Sequence, residues 1–144
     1  MDELDVLQAM TAIKPENLWV NKIELVEGEE IALSYPSNHT QGKRAVGGKL
    51  FVTNKRIAFA PNRLDANLGG HAMEVPLSRI TQITTDAPRI RLSEIFSGAL
   101  TTRLAIHAGT DQVDFFVVSN PDIVANQITA ALKKIAEQDV APNA

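Results

Sequence analysis

The sequence predicts a mainly β domain: about seven antiparallel strands in a partly closed barrel or orthogonal sandwich, ended by one amphipathic α-helix. Three observations carry this reading. Gly47 to Pro61 is written as a β-hairpin. Short runs of alternating apolar and polar residues recur between turn residues. After Ser119 the apolar period changes from two to that of a helix.

In the hairpin, Lys49–Thr53 and Ile57–Ala60 are rich in β-formers and flank a polar break at Asn54-Lys55. Asn54 is expected to tolerate the left-handed region at the turn, and Pro61 to end the second strand because it has no N–H to donate. Before the hairpin, Ile31, Leu33 and Tyr35 alternate with Glu30, Ala32 and Ser34, a strand expected to stop at Pro36. Ser37 to Gly42 has loop composition, as does Asn62 to His71. Met73, Val75 and Leu77 give a fourth strand, an edge or a bulge because of Pro76, and Ile80 and Ile83 a shorter fifth.

Residues 86–101 permit an extended strand at Arg89–Leu92 and a turn or one helical turn from Ser93 to Gly98. Leu104, Ile106 and Ala108 form the inner face of the next strand, with His107 outward. Gly109-Thr110-Asp111 turns the chain into the last strand, Gln112 to Ser119, with Val113, Phe115 and Val117 expected on one face. Then Ser119 or Asn120 can cap a helix and Pro121 suits its first position. Val124, Ile128, Leu132 and Ile135 make its apolar stripe, Ile123 and Ala131 lie beside it, and Lys133-Lys134 are expected in the last turn. Near the start, Val6, Met10 and Ile13 fall at helical spacing up to the break at Pro15, and Trp19 is expected to anchor onto the core.

The 144 residues suit one domain with a core of its own, and 44% hydrophobic with 22% charged residues is ordinary for a globular protein. No apolar run is long enough for a membrane span, and the acidic N-terminus is unlike a secretory signal. With no cysteine there is no disulfide and no thiolate chemistry, and a cytoplasmic location is expected. The net charge of −3 argues against general nucleic-acid binding. Its distribution is uneven: residues 1–30 carry −6, 31–63 carry +6 and 64–144 carry −3. The central window holds Lys43, Arg44, Lys49, Lys55, Arg56 and Arg63 and no acid. Two readings stand: solvated outer-face cations that blunt strand edges, or a functional basic surface.

Three patches resemble the GRAM and bacterial PH-like families. Gly28-Glu29-Glu30-Ile31 looks like their opening Gly-Glu. Gly48 to Phe59 looks like their signature, a glycine, an apolar strand, Thr-Asn-x-Arg (here Thr53-Asn54-Lys55-Arg56) and a second apolar strand. Glu74 to Ile80 looks like the strand that follows, apolar-Pro-Leu-x-x-Ile. The resemblance spans residues 28–138 in outline, with 1–27 as an N-terminal extension and 139–144 as a tail. It implies a PH-like fold, a seven-stranded bent antiparallel barrel capped by a C-terminal helix. It also implies a non-catalytic module of a kind that binds membrane lipids or proteins.

No catalytic constellation is visible, so an enzyme, a cofactor and a metal site are not expected. His39, His71 and His107 are far apart and lack ligand spacing, and each is expected at the surface, the first two in loops. Two binding readings remain. By the resemblance, the loops after strands one and three meet at the open end, which would gather Lys43, Arg44, Lys49 and Arg63 as an anion site for lipid head groups. Those residues only approximate the dense basic pattern of phosphoinositide-binding PH domains, and Lys55-Arg56 fall at the other end. The second reading is protein interaction or self-association, which we weight first. Phe116 and Val118 lie opposite Val113, Phe115 and Val117, and Phe51 lies opposite Leu50 and Val52, so these three residues need cover from the chain, another copy or a partner. Weak peripheral binding to an anionic membrane is the alternative.

Overall fold

The computed structural model describes residues 22–87 and 102–140. Seven strands form one antiparallel sheet: β1 (Ile31–Gln41), β2 (Arg44–Thr53), β3 (Arg56–Pro61), β4 (Met73–Pro76), β5 (Ile80–Asp86), β6 (Arg103–Ala108) and β7 (Gln112–Val117). Their order across the sheet is β4-β3-β2-β1-β7-β6-β5. β4 and β5 are therefore the two edges, yet a single 3₁₀ turn, Leu77–Arg79, joins them. The sheet must curl until its edges meet at that corner, where Leu77 N–H also donates to the Lys55 carbonyl at 3.1 Å. The helix α2 (Pro121–Val140) packs on β5 and β6. The expected helical segment at 2–13, Trp19, the expected strand at 89–92 and the end of the tail lie outside the described residues.

The core is built from the inner faces of both halves of the sheet: Val46, Leu50 and Val52 of β2, Ile57 and Phe59 of β3, Leu104 and Ile106 of β6, Phe116 of β7, and Val124, Ala125 and Ile128 of α2. Leu132 packs against it at the edge, while Ile123 points outward, more than half exposed. The helix starts at Pro121, with the Asn120 carbonyl accepting from Val124 N–H; Asn120 itself sits at φ 53°, a region asparagine tolerates. It runs on to Val140, so Lys133-Lys134 precede the last turn, which holds no basic residue.

Several expectations change. β1 does not stop at Pro36 but continues through the expected loop to Gln41, paired with β2 along its whole length. The reversal comes at Gly42-Lys43, with Gly42 at φ +62°. Composition misled because the inward positions of this stretch, Ser37 and His39, are polar, yet both are buried. Asn54 has no left-handed backbone. It works through its side chain, which accepts from Glu30 N–H (2.8 Å) and donates to the Gly28 carbonyl (2.9 Å). The Asn62–His71 loop contains a short helix, α1 (Arg63–Asn67), capped by Asn62, whose Oδ1 accepts from Asp65 N–H at 2.8 Å.

The face of β7 is also reversed. Phe116 and Val118 enter the core, whereas Val113 is exposed and Phe115 and Val117 are half-buried. Phe116 is therefore no interaction surface: it stacks on the His39 ring (centroids 4.6 Å apart) and tilts against Phe59 (5.9 Å). Phe51 is covered as well, at 6% exposure, with Lys49 Nζ 5.8 Å from its ring centre. On the outer face Phe115 is roofed by Arg103, whose guanidinium lies 4.2 Å from the ring centre and donates to Asp86 at 3.0 Å.

Candidate functional site

The residues of the family-like signature meet one another. Thr53 Oγ1 donates to Glu29 Oε2 at 2.6 Å and accepts from the N–H groups of Lys55 and Arg56. Arg56 grips the same carboxylate with Nε (2.9 Å) and Nη2 (3.2 Å), donates from Nη1 to Glu74 (2.6 Å) and reaches the Glu24 carbonyl (2.7 Å). The Arg56 hydrogen bond is the main reason the Glu29 carboxyl is lowered to about 2; burial opposes it. Glu29 and Glu74 in turn raise Arg56. Most of these bonds fasten residues 24–30 to the β2–β3 turn, and the Arg56–Glu74 contact ties that turn to β4, so this cluster is a structural clasp.

The expected basic end is only partly assembled. Lys43 lies in the β1–β2 turn and Arg63 opens α1; both are exposed. Arg44 is turned onto the loop, donating to Asp65 Oδ1 (3.1 Å) and to the Leu68 carbonyl. Its charge is met by that carboxylate and its donors by the loop backbone. Lys49 lies six residues along β2 from Lys43, about 20 Å at the strand rise. It covers Phe51 instead of joining the turn. His71 is exposed, and its backbone is clasped by Gln41.

His39 is not a surface residue. It is 6% exposed, wedged between Phe59 (5.3 Å) and Phe116, with Nε2 3.0 Å from Asp114 Oδ1 and Nδ1 3.0 Å from Gln41 Nε2. The His39 hydrogen bond holds the Asp114 carboxyl below its usual range. Only the extension of β1 past Pro36 brings these groups together, which period-two counting through residue 39 would have indicated. Among the described residues no cluster of three or more His, Asp or Glu side chains is placed to hold a metal ion.

Two mainly apolar concavities have the size of a ligand site: one of about 490 Å³ where residues 22–26 lie against β3 and β4, beside the clasp, and one beside the helix. The second, a groove of about 510 Å³, runs between β5 and the C-terminal half of α2, lined by Leu77, Ile80 and Ile83 on one side and by Leu132, Ile135 and Ala136 on the other. Its volume falls within the roughly 300–1,000 Å³ of ligand clefts. Lys133 and Asp139, both exposed, stand along its helix side. β5 ends the strand order, so among the described residues one side of it has no ladder partner. A strand edge without a ladder partner is a template for an added strand.

No family model and no curated protein matches the sequence. Solved structures match the fold. The Vps36 N-terminal PH domain superposes with a TM-score of 0.54 at 16% identity, over 78% of this chain and 86% of that domain. The C-terminal domain of an unknown protein from Leishmania infantum gives 0.54 at 14%, over 73% and 85%. The hSac2 domain of the human phosphoinositide phosphatase Sac2 gives 0.52 at 11%, over 99% and 87%. Among the described residues no helix is long and apolar enough to cross a membrane. At these identities the likeness concerns fold, and with seven antiparallel strands and a closing C-terminal helix the chain has a PH-like fold.

Proposed function

We propose that this chain is a non-catalytic interaction module that captures an extended segment of a protein partner in the groove between β5 and α2. The observation that carries the reading is the coincidence of a strand edge that has no ladder partner among the described residues with an apolar groove beside it. An extended peptide added to β5 gains main-chain hydrogen bonds from the edge and places alternate side chains against Ile80, Ile83 and Leu132. Lys133 and Asp139 offer one charge of each sign along the groove, which suits a segment carrying an acid and a base. The Gly28-Glu29 and Thr53-Asn54-Lys55-Arg56 clasp supports placing the chain among the GRAM-like modules. The basic end supports membrane attachment less well, since Arg44 is paired with Asp65 and Lys43 and Arg63 remain.

The test is selection from a randomised library of peptides about ten residues long, followed by mapping of amide shifts. Selected peptides are expected to alternate apolar residues and to shift the amides of Ile80–Ile83 and Thr129–Ala136. Ile83→Arg is expected to weaken them at least about tenfold. Shifts confined to other surfaces overturn the reading. Salt-sensitive binding to anionic vesicles, lost in Lys43→Ala/Arg63→Ala, would replace it with a membrane surface.

A further inference from the structure

His39 lies at the seam between the two halves of the sheet, where β1 and β7 are in register at Asn38–Val117 and His39–Phe116. Beyond it, Gln41 straddles the backbone of His71 in the β3–β4 loop. Gln41 Oε1 accepts from His71 N–H at 2.9 Å and Gln41 Nε2 donates to the His71 carbonyl at 2.6 Å. A backbone N–H only donates and a backbone carbonyl only accepts, so these two contacts fix which end of the Gln41 amide is which. The same Nε2 lies 3.0 Å from His39 Nδ1. An amide NH₂ can only donate there, so Nδ1 accepts and carries no proton. The single proton of the neutral ring then sits on Nε2 and is donated to Asp114 Oδ1, 3.0 Å away.

We propose that His39 is a proton-operated latch: neutral, it helps hold the β3–β4 loop to β1 through Gln41, and protonated, it releases that hold while keeping Asp114. A second proton has one place to go, Nδ1. There it would face the Gln41 NH₂, donor against donor, in a site closed by Phe59 and Phe116. Flipping Gln41 does not help, because its NH₂ would then face the His71 N–H. The Gln41–His71 clasp must therefore open, while the bond to Asp114 becomes a charge-assisted one.

The surroundings restrict the response to this loop. β7 presents Asp114, whose other oxygen accepts from Gln112 Nε2 at 3.0 Å. β2 and β3 present the apolar Val46 and Phe59. Arg44 is engaged with Asp65 and the Leu68 carbonyl, and keeps that part of the loop tied in either state. The His71 ring is exposed and meets Gln41 only through its backbone. Release therefore reaches the segment around His71 without unfolding the domain.

The experiment is NMR of the full chain from about pH 8 to about pH 5, reading the His39 ring nitrogens and the exchange of the His71 amide relative to that of Gly70, which is held to Asp65. Expected are a neutral ring protonated on Nε2 and, as His39 takes up its second proton, a relative rise of about tenfold in His71 exchange. Gln41→Ala is expected to show the fast exchange at every pH and no step, with the fold intact. A neutral proton on Nδ1, a ring that stays neutral until the protein unfolds, or His71 exchange that ignores the ring's titration each overturns the latch.

Discussion

Arg56 holds Glu29 from a distance of 27 residues in sequence, two nitrogens to two oxygens at 2.9 and 3.2 Å, with the Glu29 side chain wholly out of solvent and that of Arg56 22% exposed. The pair is asymmetric in burial, and the two ends are expected to respond differently to mutation. Arg56→Met strands a buried carboxylate and is expected to lower unfolding free energy by about 3–5 kcal/mol. Glu29→Gln keeps the shape, leaves Arg56 its contacts with Glu74 and the Glu24 carbonyl, and is expected to cost about 1–3 kcal/mol. Urea unfolding checks the order; equal costs would count against the clasp.

The same pair sets an acid limb. The Glu29 carboxyl is lowered from 4.5 to about 2 when folded, chiefly by Arg56. A group lowered by folding stabilises fully above its unfolded value and loses that contribution as pH falls through the folded one. Stability is therefore expected to fall between pH 4.5 and pH about 2, with this carboxyl contributing about 3 kcal/mol at neutral pH. Asp114, lowered by its bond to His39, acts in the same direction. In Glu29→Gln the urea midpoint is expected to be lower at neutral pH and flatter across the acid range.

Two glycines are expected to separate a steric demand from a conformational one. A Cβ on Gly48 would lie 2.7 Å from Pro61 Cα and 2.8 Å from Phe59 Cζ, and would run into the Ala60 carbonyl oxygen, so β3 passes too close for any side chain. Gly48→Ala is expected to cost at least about 2–3 kcal/mol. Gly42 faces open space at φ +62°, and Gly42→Ala is expected to cost about 1–2 kcal/mol from backbone strain alone. Thermal or urea unfolding distinguishes them.

Two positions two turns apart on the apolar stripe of α2 give a fourth contrast. Ile128 is fully buried, and Ile128→Ala is expected to cost about 2–5 kcal/mol. Ile135 lines the groove and is half-exposed, so Ile135→Ala is expected to cost no more than about 1 kcal/mol while weakening any peptide selected for the groove. A stability loss at Ile135 as large as at Ile128 would mean the groove side is core.

The sequence by itself determined the hairpin around Asn54-Lys55, the alternation of β6, the start of α2 at Pro121 and its Val124–Ile128–Leu132 stripe, because each depends on local periodicity and turn chemistry. The family resemblance also singled out Gly28-Glu29, Thr53–Arg56 and Glu74–Ile80 as separate patches, without showing that they touch. Tertiary structure decided the rest. β7 is apolar on both faces, so alternation cannot choose between Phe115 and Phe116. The choice falls to His39 and Phe59, which offer Phe116 an aromatic pocket, while Arg103 covers Phe115. Pro36 fails to end β1 because β2 pairs along it past that point, and the polar Ser37 and His39 are buried by strands distant in sequence. Arg44 looked like a free cation until the loop carrying Asp65 folded over it. The groove and the edge position of β5 follow from strand order and helix placement, which involve residues up to about sixty positions apart and leave no local signature.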